Sequence, residues 1–430
     1  MTPHRTPYFH TQVIGCGPGA LGIAVAADRL KLLDTLLDQG IAFLEKAPTP
    51  KELFRQRFPF QIESNSVAED FLKAIETEGI FAEVCKNENS RFVYSRIGST
   101  LPLENIRMLM NDLTKAFLEK CCFSGTSGIF FGREIESIRL SADGTATTYG
   151  RSGIPIAQSR NVVIATGAVE SLPAPDDSVD GGKIRYLPSS HVLSGMFSEV
   201  EEQIRDGRTI AILGGSHSAF SVAVLLLECF GSQFKQDRIR IYHKGVHLYF
   251  SSILEAIESG YSIAGAQIFR ATGEVNKFHG LRGKAKELYQ QVVSGRESRV
   301  QVRDSSLFPQ RPHFTDAPIL AIQAIGYRSR KIGLVDDAGA PIRVFEYRNC
   351  QMVDPQCRLL AENGSPIRNL YGIGIGHARL SENREFKIGV NFFHGPDGET
   401  IVHQIAAPAR RIAPGPRPNQ SSPNLNGVPN

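Results

Sequence analysis

The stretch Val13-Ile14-Gly15-Cys16-Gly17-Pro18-Gly19-Ala20-Leu21-Gly22 decides the fold of this 430-residue chain. It stands where an apolar strand, Phe9 to Ile14, gives way to an apolar-periodic helix, Leu21 to Leu33. Gly15 allows the tight turn. Gly17 lets the backbone approach a pyrophosphate, which would rest on the helix N-terminus. Ala20, at the third position of the fingerprint, is small enough for close packing of helix on strand. Ile41-Ala42-Phe43-Leu44-Glu45 then forms a second strand closed by an acid, and such an acid accepts hydrogen bonds from ribose hydroxyls. Strand, glycine turn, helix, strand and acid, in that order, predict an adenine dinucleotide site. Its expected residues are Gly15, Gly17, Pro18, Gly19, Ala20, Glu45 and Lys46. A glycine turn without a ligand is the plain alternative.

A second unit of the same design starts at Arg208. Thr209 to Leu213 is a strand, Gly214-Gly215-Ser216-His217-Ser218-Ala219 a turn, Phe220 to Phe230 a helix and Arg238 to His243 the next strand. One such unit binds one dinucleotide, so two imply a flavin and a nicotinamide brought face to face. Glu45 suits FAD and would repel a 2′-phosphate. The second unit carries Arg240, His243 and Lys244 in the corresponding region, which predicts NADPH rather than NADH. A solvated basic strand end is the alternative there.

Three further buried strands frame the units. Asn161 to Ile164 closes in Ala165-Thr166-Gly167, Ile319 to Ile325 in Gly326-Tyr327, and Asn369 to Gly376 is packed with glycines. Amides of that last run, at Gly374 and Gly376, are placed to meet a flavin. Helices are expected over Ala68 to Glu78 and Asn105 to Cys121. The fold class is α/β with two dinucleotide-binding, Rossmann-like domains, the FAD domain being discontinuous and the NADPH domain inserted in it. The expected divisions are 1–170, 171–330 and 331–411, with a Pro- and Asn-rich tail, 412–430, disordered.

Composition narrows the function classes. The formal net charge of +4, from 48 basic and 44 acidic residues, is too small to argue for nucleic acid. No apolar run reaches the ~20 residues that span a bilayer, and Met1 to His10 has no signal-peptide core, so a cytoplasmic protein is expected. Seven cysteines without a CxxC or CxxxxC spacing argue against a disulfide framework and against the dithiol of a disulfide reductase. Cys121-Cys122 is expected to be two packed thiols, and no cluster has metal-ligand spacing.

With these residues in hand, the chain resembles the class B flavoprotein monooxygenases: flavin-containing monooxygenases, lysine and ornithine N-hydroxylases, and Baeyer–Villiger monooxygenases. Four features carry the resemblance in the family's order. They are the FAD turn Gly15-Cys16-Gly17-Pro18, Ala165-Thr166-Gly167 matching an ATG motif, Gly214 to Ala219 similar to GGGxSA, and Ala324-Ile325-Gly326-Tyr327 similar to ATGY. The resemblance implies that NADPH reduces FAD, that reduced FAD and O₂ form a C4a-hydroperoxide, and that a small-molecule nucleophile attacks it. N-hydroxylation of an amine is the leading expectation. S-oxygenation, an NADPH oxidoreductase or oxidase without oxygen insertion, and a degenerate flavoprotein are the alternatives. A homo-oligomer is left open.

The chain departs from the family in places. Ser216 stands where the family has glycine and is expected to hold a phosphate further from the backbone. Tyr186 to His191 matches the Baeyer–Villiger fingerprint only in part. Ser189-Ser190-His191 is similar, reordered, to a stretch of the N-hydroxylases, and His191 is either a linker residue sensing NADPH or a structural histidine. Ala20 replaces an asparagine usual in N-hydroxylases. By the same resemblance Asn65 and Gln61 are the candidates for the flavin face, against the plainer reading of polar loop residues bonding local backbone. Asn391 to Gly398 is expected to close the site and Phe250 to Val275 to carry substrate contacts.

Overall fold

The computed structural model describes residues 6–54, 62–73, 75, 78–122, 124–170, 178–179, 182–270, 272–277, 279–305, 320–380, 386–387 and 395–407. Gln61, Asn391 to His394 and the tail from 412 lie outside the described residues.

Strand β1 (Tyr8–Ile14) lies at the heart of a nine-stranded sheet. It pairs in parallel with β2 (Ile41–Leu44) on one side and β3 (Pro155–Ile164) on the other. All four residues of β2 and the last four of β3 are buried, the continuous apolar pattern of a sheet covered on both faces. Helix α1 (Pro18–Arg29) follows the glycine turn, with Gly17 as its N-cap and Pro18 in the first turn, where a missing N–H costs nothing. It is apolar on nearly every side because it is buried on nearly every side. One side meets the returning helix Pro396–Ala406 so closely that a Cβ on Gly398 would stand 3.0 Å from the Gly22 carbonyl oxygen.

Two expected helices are shorter than their periodicity predicts. Instead of running to Leu33, α1 ends where Lys31 turns left-handed at φ 58°, and a separate helix, Leu33–Gln39, follows. The segment from Ala68 is helical only over Glu69–Leu72. Its apolar residues Phe71, Leu72 and Ile75 still enter the core, so burial rather than helix produced the pattern. The Asn105 to Cys121 helix is present and begins two residues earlier, as Leu103–Cys121.

After Gly167 the chain leaves the first sheet through β4 (Ala168–Glu170). It builds a second, five-stranded parallel sheet whose centre is β5 (Ile210–Leu213), followed by α2 (His217–Phe230). Strands β6 (Ile239–His243) and β7 (Leu320–Gln323) flank β5. Arg185–Pro188 and Val300–Asp304 form the edges. The chain returns through β8 (Tyr327–Ser329), which pairs antiparallel with β4, so the outgoing and incoming crossings run side by side. It then adds Pro366–Gly372 to the first sheet beside β3. The second sheet is therefore an insertion in the first unit, and each has its own apolar core. Among the described residues no helix is long and apolar enough to cross a membrane.

Candidate active site

The two glycine turns are the same structure built twice. The Gly15 N–H donates to Leu44 O at 2.8 Å, and the Gly214 N–H donates to Tyr242 O at 2.8 Å. The Ala165 N–H donates to Ile14 O at 2.9 Å, and the Ala324 N–H donates to Leu213 O at 2.7 Å. Gly15 and Gly214 both have positive φ, at 95° and 137°. A Cβ on Gly15 would come 2.7 Å from Ala165 O, and one on Gly214 would come 2.3 Å from Ala324 O. Only glycine fits either place. The match sets Gly17 against Ser216, Pro18 against His217 and Gly19 against Ser218 as the chain enters α1 and α2. Ala20 and Ala219 are both fully buried, the close helix packing expected of that position.

The first turn opens into a cleft of about 470 Å³ lined by Gly15, Gly17, Pro18, Gly19, Glu45, Lys46, Ala165, Thr166, Gly167 and Gly374. A Cβ on Gly17 would meet no protein atom within 4 Å, so that position faces ligand space at the α1 N-terminus. Glu45 is buried, and each oxygen already accepts one backbone N–H: Oε2 from Cys16 at 2.7 Å and Oε1 from Ala47 at 2.8 Å. A carboxylate has about four acceptor sites, so it keeps capacity for a ribose hydroxyl. Burial pushes the Cys16 thiol up, which keeps it unreactive. The expected Gly376 does not line the cleft. It lets the glycine run pass Gly167, whose carbonyl oxygen would lie 2.6 Å from a Cβ there. Arg133 and Arg330 also line the cleft and were not anticipated. Arg330 follows directly on Gly326-Tyr327-Arg328-Ser329, a usable signal; Arg133 is brought in by the sheet alone.

The second turn opens into a cavity of about 770 Å³ lined by Ser216, His217, Ser218, His191 and Tyr327. Ser216 has an extended φ of −101°, so its side chain causes no backbone strain, and its hydroxyl makes no capping bond to α2. The expected crowding is thus a matter of ligand space only. His191 is exposed at this cavity, in the short helix Ser189–Leu193. Glu170 of β4 anchors that helix by accepting from the Ser190 N–H and from the hydroxyls of Ser189 and Ser190. Gly326, at φ 98°, turns the chain so that Tyr327 reaches the wall. Asn65 lies in the strand Glu63–Val67, whose first two residues line the same cavity.

The matched turns also correct one expectation. His243, not Arg240, occupies the position of Glu45, and Lys244 that of Lys46. Arg240 pairs in register with Ala211, three residues before the turn, about 10 Å short of the strand end at about 3.3 Å per residue. Burial holds His243 below its ordinary pKa against the pull of Asp304, so a neutral ring replaces the acid of the first unit. Exposed Lys244 is the cation at this edge. Lys244→Glu should raise the KM for NADPH about tenfold, or roughly 1.4 kcal/mol, with little change for NADH. Steady-state kinetics with both nucleotides checks it. Arg240→Gln should leave the ratio of the two unchanged.

Cleft and cavity share Ala168 and Ile375 in their walls, so the spaces in front of the two glycine turns adjoin. All seven cysteines are free. Of the vicinal pair only Cys121 is packed, its thiol pushed up to about 12, mainly by burial; Cys122 is exposed, against the expectation of two packed thiols.

No family model matches the chain. A CMP-5′-(3-aminopropyl)phosphonate hydroxylase from Streptomyces rubellomurinus is 21% identical over 392 residues, covering 86% of this chain and 89% of that protein. The ornithine N-hydroxylase of Kutzneria sp. 744, solved with reduced FAD, NADP⁺ and L-ornithine, matches over 93% of this chain and 99% of its own. The TM-score is 0.57 at 14% identity. The chain shares the fold of that ornithine N-hydroxylase. The bacillithiol disulfide reductase of Staphylococcus aureus is also similar, with a TM-score of 0.53, 12% identity, and coverage of 93% of this chain and 98% of that one. The fold therefore places two nucleotide clefts and leaves the reaction to the site.

Proposed function

We propose that this chain is a FAD- and NADPH-dependent monooxygenase that uses O₂ to hydroxylate the nitrogen of a small-molecule amine. The observation that carries the reading is a pair of matched glycine turns whose clefts adjoin at Ala168 and Ile375. The first cleft fits FAD: open ligand space at Gly17, helix amides behind it, the acid Glu45 for a ribose, and Arg133 and Arg330 as cations. The second fits NADPH: the start of α2 for the pyrophosphate, with neutral His243 and cationic Lys244 at the 2′-edge. Bound FAD supplies hydride acceptance from NADPH and the activation of O₂.

The chain's own part is orientation and dryness. Ile62, Leu103, Leu193, Tyr327 and Ile375 give the cavity an apolar wall, which with the cofactors bound would keep water from the reacting atoms. By the family resemblance Asn65, in the strand Glu63–Val67, and Gln61 are the amides proposed for the flavin face. Nitrogen as the target is supported by the names of the relatives: one hydroxylates ornithine at nitrogen, and the other acts on an aminopropyl compound.

The test is product formation by the purified flavoprotein in air with NADPH, across diamines, basic amino acids and aminoalkyl phosphonates. Hydroxylamine accumulating in step with NADPH consumption is the expected result. Hydrogen peroxide alone across the panel would contradict oxygen insertion, and sulfoxide from added sulfides would move the target to sulfur.

A further inference from the structure

One contact between the inserted unit and the first unit starts from the second turn itself, at the cavity wall. His217 is the first residue of α2, the place held by Pro18 in the first unit. Its Nε2 lies 3.1 Å from the carbonyl oxygen of Glu63. A carbonyl only accepts, so Nε2 carries the hydrogen, and Nδ1 is left a buried acceptor with no partner in the structure. Burial holds the ring below its ordinary pKa, in keeping with this neutral form. Glu63 opens the strand that carries Asn65, and its side chain makes a second tie. Its Oε2 accepts the Lys284 N–H at 3.2 Å, at the start of the helix Gly283–Val293. A Cβ on Gly283, at φ 48°, would stand 2.0 Å from that oxygen, so this approach also requires glycine. Two helix N-termini of the inserted unit thus converge on one residue of the first.

We propose that His217 is a positioning residue for flavin reduction, tying the first turn of the nicotinamide-nucleotide helix to the Asn65 strand through the Glu63 carbonyl. This rests on the function proposed above. The chain keeps a buried orphan nitrogen, which costs free energy, at the one helix start that must hold its distance from the flavin. A proline there, as in the first unit, would cap the helix and tie nothing.

Two substitutions separate the hydrogen bond from packing. His217→Phe keeps a ring without the donor. His217→Gln places an amide N–H near the Nε2 position. In anaerobic rapid-mixing experiments at saturating NADPH, His217→Phe should reduce its flavin about 10–100-fold more slowly, the cost of a small misplacement. Because the rate is read at saturating NADPH, a change in nucleotide affinity does not enter it, and His217→Gln should recover most of the rate. In nucleotide-free protein, His217→Phe should also speed amide hydrogen exchange at Ser64 to Val67 and at Lys284, with β1 unchanged. An unchanged reduction rate, equal losses in the two variants, or unchanged exchange at Ser64 to Val67 would overturn the assignment. Wild-type flavin that NADPH fails to reduce would overturn the proposed function, and with it the role in reduction, while the exchange result still reports the tie.

Discussion

Gly17→Val is expected to give a folded protein that no longer holds FAD. The backbone at Gly17 is extended, with φ −74° and ψ −173°, which valine adopts without strain. No protein atom lies within 4 Å of the new Cβ, so the core has nothing to clash with. The added side chain instead enters the cleft at the α1 N-terminus, where a pyrophosphate needs the backbone amides within hydrogen-bond distance. Loss of that contact should weaken FAD binding about 1,000-fold or more, roughly 4 kcal/mol. The measurement is flavin absorbance of the purified variant, with its melting temperature beside it. Full flavin retention would remove the first turn from the site. Loss of both flavin and fold would show that the turn serves stability first.

Gly214→Ala is expected to do the opposite: keep FAD and lose reduction by NADPH. Here φ is 137°, and the new Cβ would stand 2.3 Å from the backbone oxygen of Ala324. Neither side can yield cheaply, because Ala324 N–H is bonded to Leu213 O at 2.7 Å and Gly214 N–H to Tyr242 O at 2.8 Å. Strain and overpacking together should cost roughly 2–4 kcal/mol, absorbed by displacement of the turn. The flavin should remain reducible by dithionite while its reduction by NADPH falls at least about 100-fold, since a displaced turn misplaces the nicotinamide. Rapid NADPH reduction in this variant would detach the second turn from the nicotinamide nucleotide.

Most of the frame was legible in the sequence because glycine turns between apolar strands and helices leave a local signature. The first turn, β2 with Glu45 after it, and the second unit through His243 all stand within three residues of their expected places. What depends on register was not legible. Arg240 lies close to the strand end in sequence, and only its pairing with Ala211 shows how far from the edge it sits. Arg133 reaches the cleft through sheet order, and Glu170 and Glu63 act through partners about 20 and 154 residues away, beyond any local pattern. Helical periodicity misled at Ala68 to Glu78, where apolar residues enter the core from a mostly non-helical backbone. At Ser216 the backbone is ordinary and extended, and the residue lines the cavity, so the crowding expected from the motif concerns the ligand and not the turn.

The central claim, that the two turns hold FAD and NADPH in adjoining clefts, is tested most directly by anaerobic titration of the purified flavoprotein. The account predicts that one equivalent of NADPH bleaches the bound flavin, with NADH less effective. Flavin that dithionite bleaches and NADPH leaves oxidised would contradict it.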